Sequence, residues 1–115
     1  MRVIYLDDQE EFSILLQRII KPEIYFYYND INECINSIQK GDIILLDFIL
    51  GNDIRNGLDV ATLLREKFGE TIRIIFYSSF LFSGSDKFSK IKKVSDGIIN
   101  KSDFSTLKTF LNGVN

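Results

Sequence analysis

The 115-residue chain has no histidine and a single cysteine, Cys34. Without histidine, Ser-His-Asp and Cys-His catalysis are excluded, and so are histidine metal ligands. One cysteine permits neither an internal disulfide nor a cysteine-based zinc cluster. Any bound metal must then be a hard cation held by oxygens, of the magnesium or calcium class. Basic residues are not in excess: 14 Lys and Arg face 16 Asp and Glu, a net charge of −2. That balance argues against nucleic acid as a partner. No apolar run reaches the length of a membrane span, and the N-terminus lacks the basic start and cleavage site of a signal peptide. The expectation is a cytoplasmic protein that engages neither membrane nor nucleic acid. Its length and its 45% hydrophobic content suit one globular domain over residues 1–115.

What is present is a repeated alternation of apolar strands and amphipathic helices. The run Gly41-Asp-Ile-Ile-Leu-Leu-Asp-Phe-Ile-Leu50 has no polar alternation. It reads as a strand covered on both faces, the habit of parallel sheets. Arg2–Leu6 is a similar run ending at Asp7-Asp8, and Ile24–Tyr28 is rich in aromatic and β-branched residues. Ile72–Tyr77 leads to Ser78-Ser79, and Ile98–Asn100 leads to Lys101.

Between these lie apolar stripes at helical spacing. Phe12, Leu15, Leu16 and Ile19 mark a first helix, with Asp8 and Glu11 spaced as a capping box and Pro22 as its stop. Ile31, Cys34, Ile35 and Ile38 mark a second, capped by Asn29 or Asp30 and ended by Gly41, with Cys34 as a core side chain. Val60, Ala61, Leu64 and Phe68 mark a third, after a polar loop over residues 50–57. A fourth spans about 85–95, with Phe88, Ile91 and Val94 or Ser95 inward and the lysines outward. A fifth starts near Ser102 or Asp103, buries Phe104, Leu107 and Leu111, and stops at Gly113. Five strands alternating with five helices predict an α/β three-layer sandwich.

In such sheets the chemistry lies beyond the carboxyl ends of the strands, at the switch point in strand order. If the order is 2-1-3-4-5, strands 1 and 3 are neighbours there, and Asp7, Asp8 and Asp47 would share one crevice. Three carboxylates in a partly dry site repel one another and invite a divalent cation. Ser78 adds a hydroxyl and Lys101 an ammonium. A carboxylate nucleophile, a cation, a hydroxyl and an amine are the parts needed to accept and hold a phosphoryl group.

Carried by Asp7-Asp8, Asp47, Ser78 and Lys101 on successive strand ends, the whole chain resembles the receiver domain of two-component response regulators. The resemblance implies a flavodoxin-like (βα)5 fold. It implies that Asp47 takes a phosphoryl group from a sensor histidine kinase or histidine phosphotransfer protein. Asp8, Asp47 and the main-chain carbonyl of Ile49 would hold Mg2+, with Asp7 acting partly through water. Lys101 would pair with a phosphoryl oxygen and Ser78 would hydrogen-bond another, drawing in the loop before helix 4. The chain would signal by protein–protein interaction to an output partner, as a stand-alone phosphoacceptor with autodephosphorylation rather than a turnover enzyme.

Several positions depart from the family's pattern. Ile98 stands where an aromatic switch residue is usual, Ser102 where proline is common after the lysine, and Gly51 where proline follows the acceptor. Asn56-Gly57 falls about two residues later than the usual Asp-Gly. Ile49 and Phe80 flank the acceptor as apolar side chains, which predicts slow self-dephosphorylation. Phe80, Leu81 and Phe82 either fold over the sheet or form a patch for a partner, so a monomer or weak dimer is expected. A rival reading is a pseudo-receiver, a phosphorylation-independent interaction module. A carboxylate-nucleophile phosphatase ranks lower, because Ile49 stands where its second Asp would be.

Overall fold

The computed structural model describes residues 1–48, 50, 56–79 and 86–113, with the backbone alone for 86–88. The expectations for Ile49, for Gly51 and the loop through 55, and for the Phe80–Phe82 segment lie outside the described residues.

Five parallel strands form one sheet in the order β2-β1-β3-β4-β5. They are β1 Val3–Leu6, β2 Tyr25–Tyr28, β3 Ile43–Leu46, β4 Arg73–Ser78 and β5 Gly97–Asn100. The three inner strands are apolar along nearly their whole length and buried, as the unbroken apolar runs anticipate. On one face Val3, Tyr5, Leu45, Ile75, Tyr77 and Ile99 pack with Leu16, Ile20, Leu107 and Leu111. These last belong to or follow α1 Glu10–Gln17 and lie in α5 Phe104–Asn112. On the other face Ile4, Leu6, Ile44, Leu46, Ile74 and Phe76 meet α2 Ile31–Ser37, α3 Gly57–Phe68 and α4 Asp86–Val94. This is the flavodoxin-like, doubly wound arrangement.

Helix ends depart from expectation in instructive ways. α1 stops at Gln17, and Pro22 opens a short 3-10 turn, Pro22–Ile24, rather than closing the helix. Leu15 is exposed while Leu16 is buried, so the inward stripe is narrower than the spacing suggested. Asp8 does not cap α1: the N-cap residue is Gln9, whose main-chain N–H donates to Asp7 Oδ1 at 2.9 Å. α2 ends at Ser37 rather than at Gly41, which takes φ +91° in the turn into β3. Asp30 caps α2 by accepting from the Glu33 N–H, and Cys34 is fully buried, which pushes its thiol up to about 12. Phe68 is half-buried and edges the core that the spacing put it in, whereas Phe104 is half-buried and Phe110 rather than Phe104 packs against the core on that side. α3 starts on a reciprocal capping box between Asn56 and Asp59, and Gly69 terminates it at φ +59°.

Candidate functional site

Strand register brings the site together. Leu6 pairs with Leu46, and Leu46 with Phe76. The ladder continues one step further, with the Asp47 N–H donating to Leu6 O at 3.1 Å and the Asp7 N–H to Tyr28 O at 3.2 Å. At the far edge the Lys101 N–H donates to Ser78 O at 3.0 Å. Period-two alternation then sends Asp7, Asp47 and Lys101 toward the face of Tyr5, Leu45 and Ile99.

Asp7, Asp47, Ser78 and Lys101 are all buried, and Asp8 is exposed at the rim. One carboxylate oxygen from each of Asp7, Asp8 and Asp47 lies within 4.8 Å of the others. Lys101 Nζ sits 2.6 Å from Asp7 Oδ2 and 3.5 Å from Asp47 Oδ1. It also donates to Gln9 Oε1 at 3.3 Å and lies 4.3 Å from the centre of the Phe12 ring. The buried Ser78 hydroxyl lies close enough to the Asp47 carboxylate to favour its ionised form, and the Phe48 N–H donates to Asp47 Oδ1 at 3.0 Å. Gly57, the first residue of α3, packs on this strand end. Its N–H donates to Phe48 O at 2.7 Å, and a Cβ there would lie 2.3 Å from the Asp47 carbonyl oxygen.

Burial, then repulsion from Asp7, raises Asp47 to about 6, against the opposing pull of Lys101 and Ser78. Asp8 is raised as well, by partial desolvation first and by Asp7 second. When all three carboxylates are ionised, Lys101 leaves two negative charges unbalanced among the described residues. Oxygen donors in that number, with that surplus charge, fit a hard divalent cation. Asp7, Asp8 and Asp47 are the residues that would hold it, and the Ile49 carbonyl expected beside them lies outside the described residues.

The five side chains singled out in the sequence therefore do converge. Gln9, Phe12, Tyr5 and Tyr27 join them without having been singled out as site residues, and Gly57 joins them from the Asn56-Gly57 pair noted only for its shifted position. Tyr5 O–H donates to Asp7 Oδ2, and Tyr27 O–H to the Asp7 carbonyl at 2.7 Å. Burial, and the bond to Asp7, push Tyr5 far above its usual value, so the hydroxyl keeps its proton and remains the donor. The period-two spacing of Tyr5 and Asp7 on β1 carried that signal, since residues two apart share a face. Ile98 is half-buried and lines a surface cavity of about 530 Å³ with Lys92, Ser95, Asp96 and Gly97.

The fold and this strand-end cluster define a response-regulator receiver domain. A family profile described as the cyclic-phosphate processing receiver domain matches residues 2–90, and the chain belongs to that family. Among solved structures it is similar to the response regulator TrrA of Thermotoga maritima, crystallised with Mg2+ and BeF, at 23% identity and TM-score 0.75, covering 99% of this chain and 98% of that one. A response regulator of Colwellia psychrerythraea shares 22% identity at TM-score 0.75, over 98% and 94% of the two chains. The receiver domain of Thermotoga maritima CheB shares 20% at TM-score 0.71, over 98% and 91%. No curated protein sequence matches the chain. Among the described residues, no helix is long and apolar enough to cross a membrane.

Proposed function

We propose that this receiver is a working phosphoacceptor, with Asp47 as the acceptor. An Asp47 carboxylate oxygen attacks the phosphorus of a phosphohistidine on a donor kinase or phosphotransfer protein. The new O–P bond forms as the P–N bond breaks. The imidazole nitrogen leaves with the bonding pair and takes a proton from solvent, and Asp47 becomes an acyl phosphate. The observation that carries this reading is the clustering of three carboxylates with one buried ammonium, with Asp47 at about 6 and hence largely ionised near neutrality. Charge gathering on the phosphoryl oxygens is what a bound Mg2+ would offset. Lys101, held between Asp7 and Asp47, needs only a small displacement to pair with a phosphoryl oxygen, as a compact point charge. Ser78, buried at the neighbouring strand end beside Asp47, is placed to donate to another. Signalling then runs through protein contacts that differ between the two states.

The test is intact mass after incubation with Mg2+ and acetyl phosphate, beside Asp47→Asn. One added phosphoryl group on the parent and none on the variant is expected. No adduct on the parent, together with no response to beryllofluoride, would leave a pseudo-receiver that binds partners independently of phosphorylation.

The family's description favours a second reading, in which the same site opens a cyclic phosphate diester. Water attacking phosphorus would form a new P–O bond as one ring P–O bond breaks, its proton passing to the departing ring oxygen to leave a linear phosphate ester; attack by Asp47 would instead open the ring onto an acyl phosphate that water then hydrolyses. Phosphorus NMR of a panel of cyclic phosphodiesters, with Mg2+ and the parent or Asp47→Asn, separates the two. Ring opening that depends on Asp47 would place the activity in this class.

A further inference from the structure

Asp7 is more constrained than a cation ligand needs to be. A carboxylate offers about four acceptor positions, and three on Asp7 are used. Tyr5 O–H and Lys101 Nζ share Oδ2, and the Gln9 N–H occupies one side of Oδ1. The Asp7 backbone is pinned separately, by Tyr27 O–H on its carbonyl and by its own N–H on Tyr28 O. Tyr5 itself cannot shift easily. It is fully buried, with ring centres 5.7 Å from Tyr27 and 5.9 Å from Tyr77.

We propose that Tyr5 is a positioning residue for the cation site. Its hydroxyl, with Lys101, fixes Oδ2 of Asp7 while the Gln9 N–H holds Oδ1, so the carboxylate is kept in one orientation beside Asp8 and Asp47. The inference rests on the reading of these carboxylates as a metal site. It extends that site to the strand beneath it, in the way that hydrogen-bonded neighbours orient metal ligands generally. Tyr5 touches neither the reacting atoms nor the cation. Its effect passes through Asp7.

The experiment is Mg2+ titration calorimetry at one fixed pH on the parent, Tyr5→Phe and Tyr25→Phe. Tyr25 is the control, because its hydroxyl meets Ser13 Oγ at 2.6 Å on the same face rather than Asp7. Tyr5→Phe keeps the ring and its packing, so a role confined to packing leaves Mg2+ affinity unchanged. Loss of the oriented hydrogen bond is expected to weaken binding by about ten-fold, with Tyr25→Phe within about two-fold of the parent. Equal affinity in the parent and Tyr5→Phe overturns the proposal, as does equal loss in both variants. A parent that binds no Mg2+ overturns the metal reading and this inference with it. A parent that binds while Tyr5→Phe binds equally well overturns this inference alone. Should Tyr5→Phe not fold, proton NMR of the parent decides. A slowly exchanging Tyr5 hydroxyl resonance that moves on adding Mg2+ is expected, and its absence or indifference to Mg2+ overturns the proposal.

Discussion

The two ends of the sheet treat buried carboxylates in opposite ways. At the amino end Asp42 is buried and fully matched. Arg2 reaches it through Nε at 3.0 Å and Nη2 at 2.8 Å, and the Gln39 N–H donates to it at 2.8 Å. Arg2 also donates to Ser37 O at 2.6 Å and lies over Phe26. One carboxylate has one guanidinium, and the ends of α2, β1 and β3 are tied together. At the carboxyl end, among the described residues, three carboxylates share one ammonium. The first arrangement is closed and needs nothing more. Among the described residues, the second carries a charge imbalance that Lys101 does not cancel.

The largest effect should come from opening the closed end. Arg2→Ala leaves Asp42 buried without its partner and is expected to cost about 3 kcal/mol in urea unfolding. Mg2+ affinity at the other end should not change. If affinity fell in parallel, the two ends would be one coupled network.

Relieving the crowded end should do the reverse. Asp47→Asn is expected to raise stability at pH 7 by up to about 3 kcal/mol, since the folded chain holds Asp47 at about 6 against an ordinary 3.8. The sign follows from proton counting. Between those values the folded chain keeps a proton that the unfolded chain has released. Stability from this group therefore falls as pH rises through the window, is level above it, and does not distinguish the variant below it. Thermal unfolding of both proteins between pH 4 and 7 would show the gap widening with pH. A gap constant across that range would show that Asp47 is not the strained carboxylate.

The smallest expected effect is Gly57→Ala. Its Cβ would press on the Asp47 carbonyl, so α3 must retreat, at about 1–2 kcal/mol. Phosphorylation of Asp47 should slow with it. Unchanged kinetics would mean that the strand end tolerates movement and that the crowding there is not finely set.

The strands themselves were legible from local signals, and with the order 2-1-3-4-5 that the family resemblance implies, so was the convergence of Asp7, Asp8, Asp47, Ser78 and Lys101. Continuous apolar runs announce buried parallel strands, and parallel strands put their ends on one edge. Helix ends were less legible. In α1 the apolar spacing runs on through Ile19, yet the helix stops at Gln17 because the next turn tightens, with the Arg18 and Ile19 N–H groups bonding three residues back. The apolar period does not record that change. The contact of Gly57 with Asp47 depends on where α3 docks, which no local pattern encodes. The roles of Gln9 and Phe12 around Lys101 depend likewise on β5 meeting α1 across 92 and 89 positions of sequence. Tyr5 falls between these cases: its face was legible, and its partner was not.

The tyrosines that surround Asp7 also give the molecule an optical property. The chain has no tryptophan and five tyrosines, so no indole is present to drain their excitation by energy transfer. Emission from tyrosine is sensitive to a carboxylate hydrogen-bonded to the phenol, and here Tyr5 makes such a bond while Tyr27 binds the same residue's carbonyl. Ultraviolet fluorescence of the unlabelled protein is thereby a built-in gauge of what happens at Asp7, readable in real time as ions or phosphoryl donors are added.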